Sequence, residues 1–326
     1  MNMHRLIKIF AILTSIGTYL VILLGVLVTT TGSGHGCGNT WPFCHGQIIP
    51  GVITVAGLIE YSHRIISSLD GALVLILTVW SWLMYRTDFR VKLFAFLSLL
   101  FVILQGALGA LTVMFEGTLA LSWILSVHFG LSLIAFASVI LLTIRLFQVG
   151  KERQGRQVSI QSAVHRLQFP VWGLAIYTYI VVYTGALVEH TGAVAGCGTV
   201  LPGCGTTYFP NFTSLAGIQL LHRYAAALLW LLVLCLLVIV LRRYHERRDL
   251  ILGASWAFIL ITLQAISGLI NVLTTGQMLA ALVHTTLISV FFAVLCYFCV
   301  QVGWPWKRKR LVQSAESQPL ELKAVP

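Results

Sequence analysis

Four histidines recur at matching places in a chain of 326 residues that is otherwise strongly apolar. Each lies near one end of every second apolar segment: His63, His128, His222 and His284. Ionisable side chains within apolar spans are costly and usually functional, and imidazole is a common axial ligand of haem iron. The repetition favours two bis-histidine metal or haem sites. The alternative, four core histidines bonded to backbone carbonyls, is the ordinary interpretation of a single buried histidine.

Charged residues beside the histidines differ between the two pairs. An arginine follows the first histidine of each pair, where it could bind haem propionates or extend to lipid headgroups: Arg64 and Arg223. Glu60 precedes His63 by about one helical turn, but its counterpart in the second pair is Gln219. A carboxylate in one half only indicates proton transfer or positioning of water there, unless it simply marks a helix start. Asp70, deeper in the same segment, could belong to a proton path whose other members the sequence does not identify.

The composition excludes an ordinary soluble domain, because 58% of the residues are hydrophobic and only 10% are charged. A membrane-spanning helix needs about 20 apolar residues. Runs of that length lie near residues 9–30, 64–85, 93–115, 122–146, 169–188, 219–241, 250–273 and 278–303. We therefore predict an all-α integral membrane protein with eight transmembrane helices, of which the first is retained and not a cleaved signal peptide.

The net charge of +11 follows the predicted topology. All lysines and arginines except Arg64 and Arg223 lie at the termini or in every second connection between helices. By the positive-inside rule these segments face the cytoplasm. The pattern predicts a cell-membrane protein with both termini cytoplasmic, and it explains the charge without nucleic-acid binding. The basic tail, 304–326, is predicted to be disordered and close to the membrane.

The chain contains an internal duplication with a period of roughly 160 residues. Two pairs of segments show it most clearly: GVLVTTTG at 25–32 with GALVEHTG at 185–192, and LQGALGALTV at 104–113 with LQAISGLINV at 263–272. Four helices per unit is an even number, so both units enter the membrane in the same direction, which predicts a pseudo-two-fold axis along the membrane normal. The expected architecture is two pseudo-symmetric four-helix bundles, 1–150 and 160–303, joined through the basic loop 147–167.

The two long outer loops, near 31–62 and 189–218, each carry one C-x6-C pair and no lysine or arginine. Outside the cytoplasm disulfides persist, and the short spacer closes readily. We predict two bridges, Cys37–Cys44 and Cys197–Cys204. A zinc site is the alternative, with additional ligands from His35, His45 or His190. A redox-active first pair, exchanging with external thiols, is also open.

Several motifs together resemble one enzyme family. They are TGSGHGCGNTWPFCHG at 31–46, EYSHR at 60–64, VHFG around His128, VVYTGALVEHTG at 181–192, LHR at 221–223 and LVH at 282–284. With these motifs, residues 1–303 resemble the haem A synthases of the Bacillus-like type. The resemblance implies an eight-helix enzyme that oxidises the C8 methyl group of haem O to a formyl group, through successive hydroxylations and loss of water, giving haem A for terminal oxidases.

The resemblance also implies roles for particular residues. The implied roles are a resident haem b on His222 and His284, the substrate haem O on His63 and His128, a catalytic carboxylate at Glu60, and a link of Cys37 and Cys44 to catalysis. The implied partners are haem O synthase (protohaem farnesyltransferase), an electron acceptor or donor, and the lipid bilayer. Three rival functions share parts of the pattern: a bis-histidine dihaem electron-transfer cytochrome, a membrane thiol oxidoreductase, and a transporter built from parallel repeats.

Overall fold

The computed structural model describes residues 3–115, 118, 120–152, 165–205, 208 and 211–305. It contains eight long helices: α1 (Met3–Thr30), α2 (Val55–Met84), α3 (Phe89–Met114), α4 (Ala120–Glu152), α5 (His165–His190), α6 (Leu215–Arg243), α7 (Arg248–Leu273) and α8 (Met278–Val302). All eight are long and apolar enough to cross a membrane. The predicted fold class, an all-α protein with eight candidate membrane spans, is confirmed. Most of the predicted boundary loop and nearly all of the basic tail lie outside the described residues.

Helices α2 and α6 begin earlier than the apolar runs that predicted them. Helix α2 starts at Val55, where the Thr54 hydroxyl accepts a hydrogen bond from the backbone N–H of Gly57 at 3.1 Å. Ser214 caps α6 in the same way. Hydropathy marks only the apolar part of a helix, and the first turns of α2 carry polar residues. The outer loops are therefore shorter than expected, and His63 lies about two turns inside its helix.

The eight helices form two rings of four. In the first ring each helix packs on the next and α1 closes on α4, and α5 to α8 repeat this arrangement. The helix packing agrees with the predicted pair of bundles. Its division at 1–150 and 160–303 stays a prediction.

The contacts between the halves are those of a two-fold arrangement. Helix α1 packs on α8, α5 packs on α4, and α4 packs on α8. If the two halves are exchanged, the contact of α1 with α8 becomes that of α5 with α4. The contact of α4 with α8 is unchanged. Side chains agree: Tyr19 on α1 hydrogen-bonds to Thr286 on α8 at 2.8 Å. The hydroxyl of its repeat counterpart, Tyr179, lies 2.9 Å from the position that a Cβ would take at Gly130 on α4.

The apolar side chains divide into a packed interior and an outward-facing surface. Large residues of α8, including Phe291, Leu295 and Phe298, are almost completely buried. Other large apolar residues on the outer helix faces remain exposed, among them Leu69, Ile103, Ile176 and Leu252. Such a surface is expected where lipid tails surround the protein. The rings therefore present a lipid-compatible exterior and an interior that can position polar side chains.

Candidate functional site

The four histidines meet as two pairs, one in each ring. His128 on α4 lies within electrostatic range of His63 on α2. In the second ring, His284 on α8 has the same relation to His222 on α6. All four are partly buried. The structure thus brings each predicted pair of ligands together, and their binding of haem stays a prediction.

Each histidine ring lies against a glycine of the preceding helix. A Cβ added to Gly185 would lie 2.8 Å from Cε1 of His222, and one added to Gly268 would lie 3.0 Å from Cε1 of His284. The first ring has equivalent but looser approaches, at 3.4 and 3.9 Å: Gly25 beside His63 and Gly109 beside His128. In the second ring a side chain at either glycine would displace the imidazole, so these glycines leave room for the rings.

Hydroxyl groups hold the two imidazoles of the second ring. Thr184 Oγ1 lies 2.9 Å from His222 Nδ1, and Ser267 Oγ lies 2.9 Å from His284 Nδ1. Neither residue is predicted from the sequence. A signal was present: each hydroxyl residue immediately precedes the glycine that faces the same histidine.

Glu60 connects the first disulfide loop to α2. Its Oε2 accepts a hydrogen bond from the backbone N–H of Cys37 at 2.9 Å, and its Oε1 forms an ion pair with Arg64. Arg64 also donates to the loop carbonyls of Thr40 and Phe43. Glu60 and Arg64 are almost fully buried. A buried ion pair needs further hydrogen bonds to offset its lost hydration, and the loop provides them.

The second half builds the same connection without a charge. Gln219 Oε1 accepts from the backbone N–H of Cys197 at 2.7 Å, and its Nε2 donates to the Val194 carbonyl at 2.7 Å. Arg223 donates to loop carbonyls, with Val200 at 2.8 Å. Lacking a carboxylate beside it, Arg223 keeps two buried nitrogens, Nε and Nη2, without a hydrogen-bond partner among the described residues. Unpaired guanidinium nitrogens of this kind can bind a carboxylate.

Asp70 lies on α2 against α1. Asp70 is 4% exposed, and its Oδ1 lies 3.3 Å from the Thr18 hydroxyl, which also lies 3.0 Å from the Thr14 carbonyl. Oδ1 of Asp70 lies 2.7 Å from the position of a Cβ at Gly17, so α1 approaches it closely. Thr18 is the partner that the sequence left unidentified. A role for Asp70 in a proton path stays a prediction.

Both predicted disulfides are present. Cys37 is bonded to Cys44 and Cys197 to Cys204, with Cα–Cα distances of 4.6 and 4.7 Å. Bonded cysteines offer no thiolate to zinc, so the structure does not support the zinc alternative. His190 lies within electrostatic range of His128, near the first histidine pair.

Comparison with known proteins gives one consistent result. The family model for the cytochrome oxidase assembly protein COX15-CtaA matches residues 8–296. The haem A synthase of Bacillus mycoides (strain KBAB4) is 41% identical over 301 residues, which cover 92% of this chain and 94% of the relative. The haem A synthase of Bacillus cereus (strain AH187) is 40% identical over 295 residues, with coverages of 90% and 93%. The chain therefore belongs to the COX15-CtaA family, and within it to the group of the bacterial haem A synthases.

Proposed function

We propose that this protein converts haem O into haem A. The reaction oxidises the C8 methyl of the porphyrin to a formyl group, through two hydroxylations and loss of water from the resulting geminal diol. One observation supports assigning this chemistry to the first ring. Of the two histidine pairs, only the first has a buried carboxylate, Glu60, one helical turn from its leading histidine; the second has Gln219 there.

In the first ring, His63 and His128 hold the iron of the substrate haem O. Glu60 acts as the carboxylate that accepts and returns protons during the oxidation. Its contact with the Cys37 N–H fixes one oxygen, and its ion pair with Arg64 fixes the other. The disulfide loop thereby positions Glu60, which explains a link between the first cysteine pair and catalysis.

The residues of the second ring fit a resident haem b. His222 and His284 would hold its iron, and Gly185 and Gly268 leave room for their rings. The two unpartnered nitrogens of Arg223 are suited to a propionate, since charge-assisted bonds from guanidinium to carboxylate are strong. Bound there, haem b supplies a one-electron redox centre. Arg64 is the equivalent candidate for a propionate of haem O, although its ion pair with Glu60 already uses part of its capacity.

A membrane location suits this substrate. Haem O carries a long farnesyl tail, so entry from the bilayer avoids exposing that tail to water. The basic connections between helices support an orientation with both termini in the cytoplasm and the disulfide loops outside. Haem O synthase is the proposed supplier of substrate, and an electron acceptor or donor completes the reaction.

The test is the pigment content of membranes from a host that makes haem O but no haem A. Expressing this chain should produce a formyl haem, detected by chromatography and mass spectrometry of extracted haems. A vector without the gene is the control. If the protein accumulates with haem bound and no formyl haem appears, the synthase function is wrong and the dihaem cytochrome is favoured. A purified protein without stoichiometric haem would instead favour the transporter or the thiol oxidoreductase.

A further inference from the structure

The two histidine pairs differ in the group that faces Nδ1. In the second ring this group is a hydroxyl, from Thr184 beside His222 and from Ser267 beside His284, each at 2.9 Å. The duplication places leucines at the equivalent positions of the first ring: Leu24 and Leu108. A leucine side chain can neither donate nor accept a hydrogen bond, so this repeat position supplies the contact in the second ring and not in the first.

The hydroxyl protons show which way these hydrogen bonds run. A hydroxyl has a single proton to donate. Thr184 donates its proton to the Val181 carbonyl at 2.7 Å, and Ser267 donates its proton to the Gln264 carbonyl at 2.9 Å. Each hydroxyl oxygen is then available to accept from the imidazole, an arrangement that favours the tautomer with the ring proton on Nδ1.

A neutral imidazole with its proton on Nδ1 has its lone pair on Nε2. For His284, the side-chain amide of Gln264 lies 3.0 Å from Nε2, so this amide has to turn away when iron binds there. The favoured tautomer leaves Nε2 as the ring nitrogen that can bind iron. In the first ring, by contrast, Nδ1 of His128 is buried without a hydrogen-bond partner among the residues that the structure describes.

We propose that Thr184 and Ser267 are positioning residues that make His222 and His284 strong, correctly oriented iron ligands. A hydrogen bond from the outer nitrogen fixes the tautomer of a ligating histidine and raises its basicity. His63 and His128 lack such a hydrogen bond from this position, because Leu24 and Leu108 have no hydroxyl group. The second ring then retains its haem, while the first ring binds haem O weakly enough to release haem A. This inference depends on the proposed function, since it assigns haem to both rings.

The experiment compares Thr184→Val and Ser267→Ala with wild type in the purified haem-containing protein. Two properties are measured: the rate at which haem b transfers to an excess of apomyoglobin, and the midpoint potential of the retained haem b. Loss of an outer hydrogen bond typically weakens metal binding about 10–100-fold, so each variant should release haem b about tenfold faster or more. Its potential should also rise, because a less basic ligand stabilises the ferric state less.

Matched controls separate ligand support from packing. Thr178 on α5 donates its hydroxyl to the Leu174 carbonyl, and Ser289 on α8 donates to the Thr285 carbonyl, each while buried. Thr178→Val and Ser289→Ala should leave both properties unchanged. Thr184→Ser keeps a hydroxyl group and should therefore have the wild-type midpoint potential. A purely structural role for Thr184 does not predict this difference between Thr184→Ser and Thr184→Val.

The reverse exchange gives a second test. Leu24→Thr places a hydroxyl where Thr184 has one in the other ring, and it should slow the release of haem from the first ring. Unchanged haem transfer and potential in both Thr184→Val and Ser267→Ala, with haem b still bound, would overturn the inference while leaving the proposed function intact. Wild-type protein that binds no b-type haem would instead contradict the proposed function itself.

Discussion

The backbone N–H of Cys37 donates a hydrogen bond to the carboxylate of Glu60 at 2.9 Å. The proposed catalytic group is therefore also the anchor of the first disulfide loop. In the other half, Gln219 anchors Cys197 with a neutral amide at 2.7 Å. The duplicated chain thus shows which side chain can replace Glu60 without loss of the loop contact, and this separates its two roles.

Glu60→Gln should stop haem A formation while preserving the protein. An amide can accept from the Cys37 N–H as Gln219 accepts from Cys197, but it cannot exchange protons as a carboxylate does. We expect wild-type haem b content and an unfolding temperature somewhat below that of wild type, because Arg64 loses its ion pair. Product formation should fall about 10²–10⁴-fold, as for loss of a general base. Chromatography of extracted haems measures the product. Normal haem A from this variant would exclude the catalytic role.

Glu60→Ala serves as the comparison for that variant. It leaves the Cys37 N–H without its acceptor, and an unsatisfied buried donor costs about 1–3 kcal/mol. We expect a lower unfolding temperature for Glu60→Ala than for Glu60→Gln. Gln219→Ala, which removes the equivalent anchor, should lower the unfolding temperature by a similar amount.

Single histidine variants should distinguish the two rings. In a host that makes haem b but no haem O, His222→Ala and His284→Ala should yield protein without stable haem b, because one axial nitrogen is lost. His63→Ala and His128→Ala should retain it. The pyridine haemochrome assay of purified protein gives the haem-to-protein ratio. Loss of haem b from the first-ring variants alone would reverse the proposed assignment.

Arg223→Gln should weaken the retention of haem b. The two buried, unpartnered nitrogens of Arg223 are proposed to hold a propionate. A hydrogen bond to a charged group contributes about 1.5–3 kcal/mol, so haem should dissociate at least about tenfold more readily. Transfer to apomyoglobin measures this. Arg242→Gln, an exposed site at the other end of α6, is the control. Equal retention in both variants would argue against the propionate contact.

Removal of the two disulfides should have equal effects on stability and unequal effects on activity. Each bridge closes a short loop, for which the chain-entropy model gives about 2–3 kcal/mol. Replacing either cysteine pair by serines should lower the unfolding temperature similarly. Loss of the Cys37–Cys44 bridge should further reduce haem A formation, since that loop positions Glu60. Equal activity losses for the two pairs would contradict this positioning role.

The ion pair between Asp88 and Arg145 predicts a dependence of stability on pH. Burial raises the pKa of the Asp88 carboxyl, but hydrogen bonds from Arg145 and Val91 lower it more, so the pKa lies below its ordinary value. A carboxyl with a lowered folded pKa stabilises the protein above its ordinary pKa, about 3.9. That stabilisation disappears as the pH falls through the folded value.

Asp88→Asn tests this pH dependence. Asparagine can still cap α3, because Asp88 Oδ1 accepts from the Val91 N–H at 3.0 Å. The variant should unfold at a lower temperature than wild type near pH 7. The difference should shrink below about pH 4, where Asp88 begins to be protonated. Unfolding temperatures measured across this range check it. A difference that does not change with pH would show that the charge on Asp88 is unimportant.

Much of the fold could be predicted because hydropathy and duplication are long-range signals. Eight apolar runs gave eight helices, and the matched histidines gave two pairs. The helix starts were less accurate. Residues such as Glu60 and His63 are helical but polar, so the apolar run that starts at residue 64 leaves them out of a helix that begins at Val55. The disulfides could be predicted because two cysteines in each short loop leave few choices.

The details of the site required three-dimensional contacts. The residue types and their separation along the chain do not show that the Glu60 carboxylate accepts a hydrogen bond from the backbone N–H of Cys37. Asp70 needed a partner from α1, and only packing identifies Thr18. The hydroxyls of Thr184 and Ser267 were visible as differences between the repeats. Their meaning appeared only when each was found beside an imidazole.

The reciprocal contacts of Tyr19 and Tyr179 have an evolutionary consequence. Each tyrosine extends from the first helix of its own half to the last helix of the other half. Tyr19 contacts Thr286, two residues after His284, and Tyr179 lies beside Gly130, two residues after His128. A single ancestral four-helix subunit would make this contact twice in a symmetric homodimer, as an isologous interface requires. Fusion of two such subunits into one gene would free each copy to change alone. A homodimer would have had to carry a carboxylate in both sites or in neither.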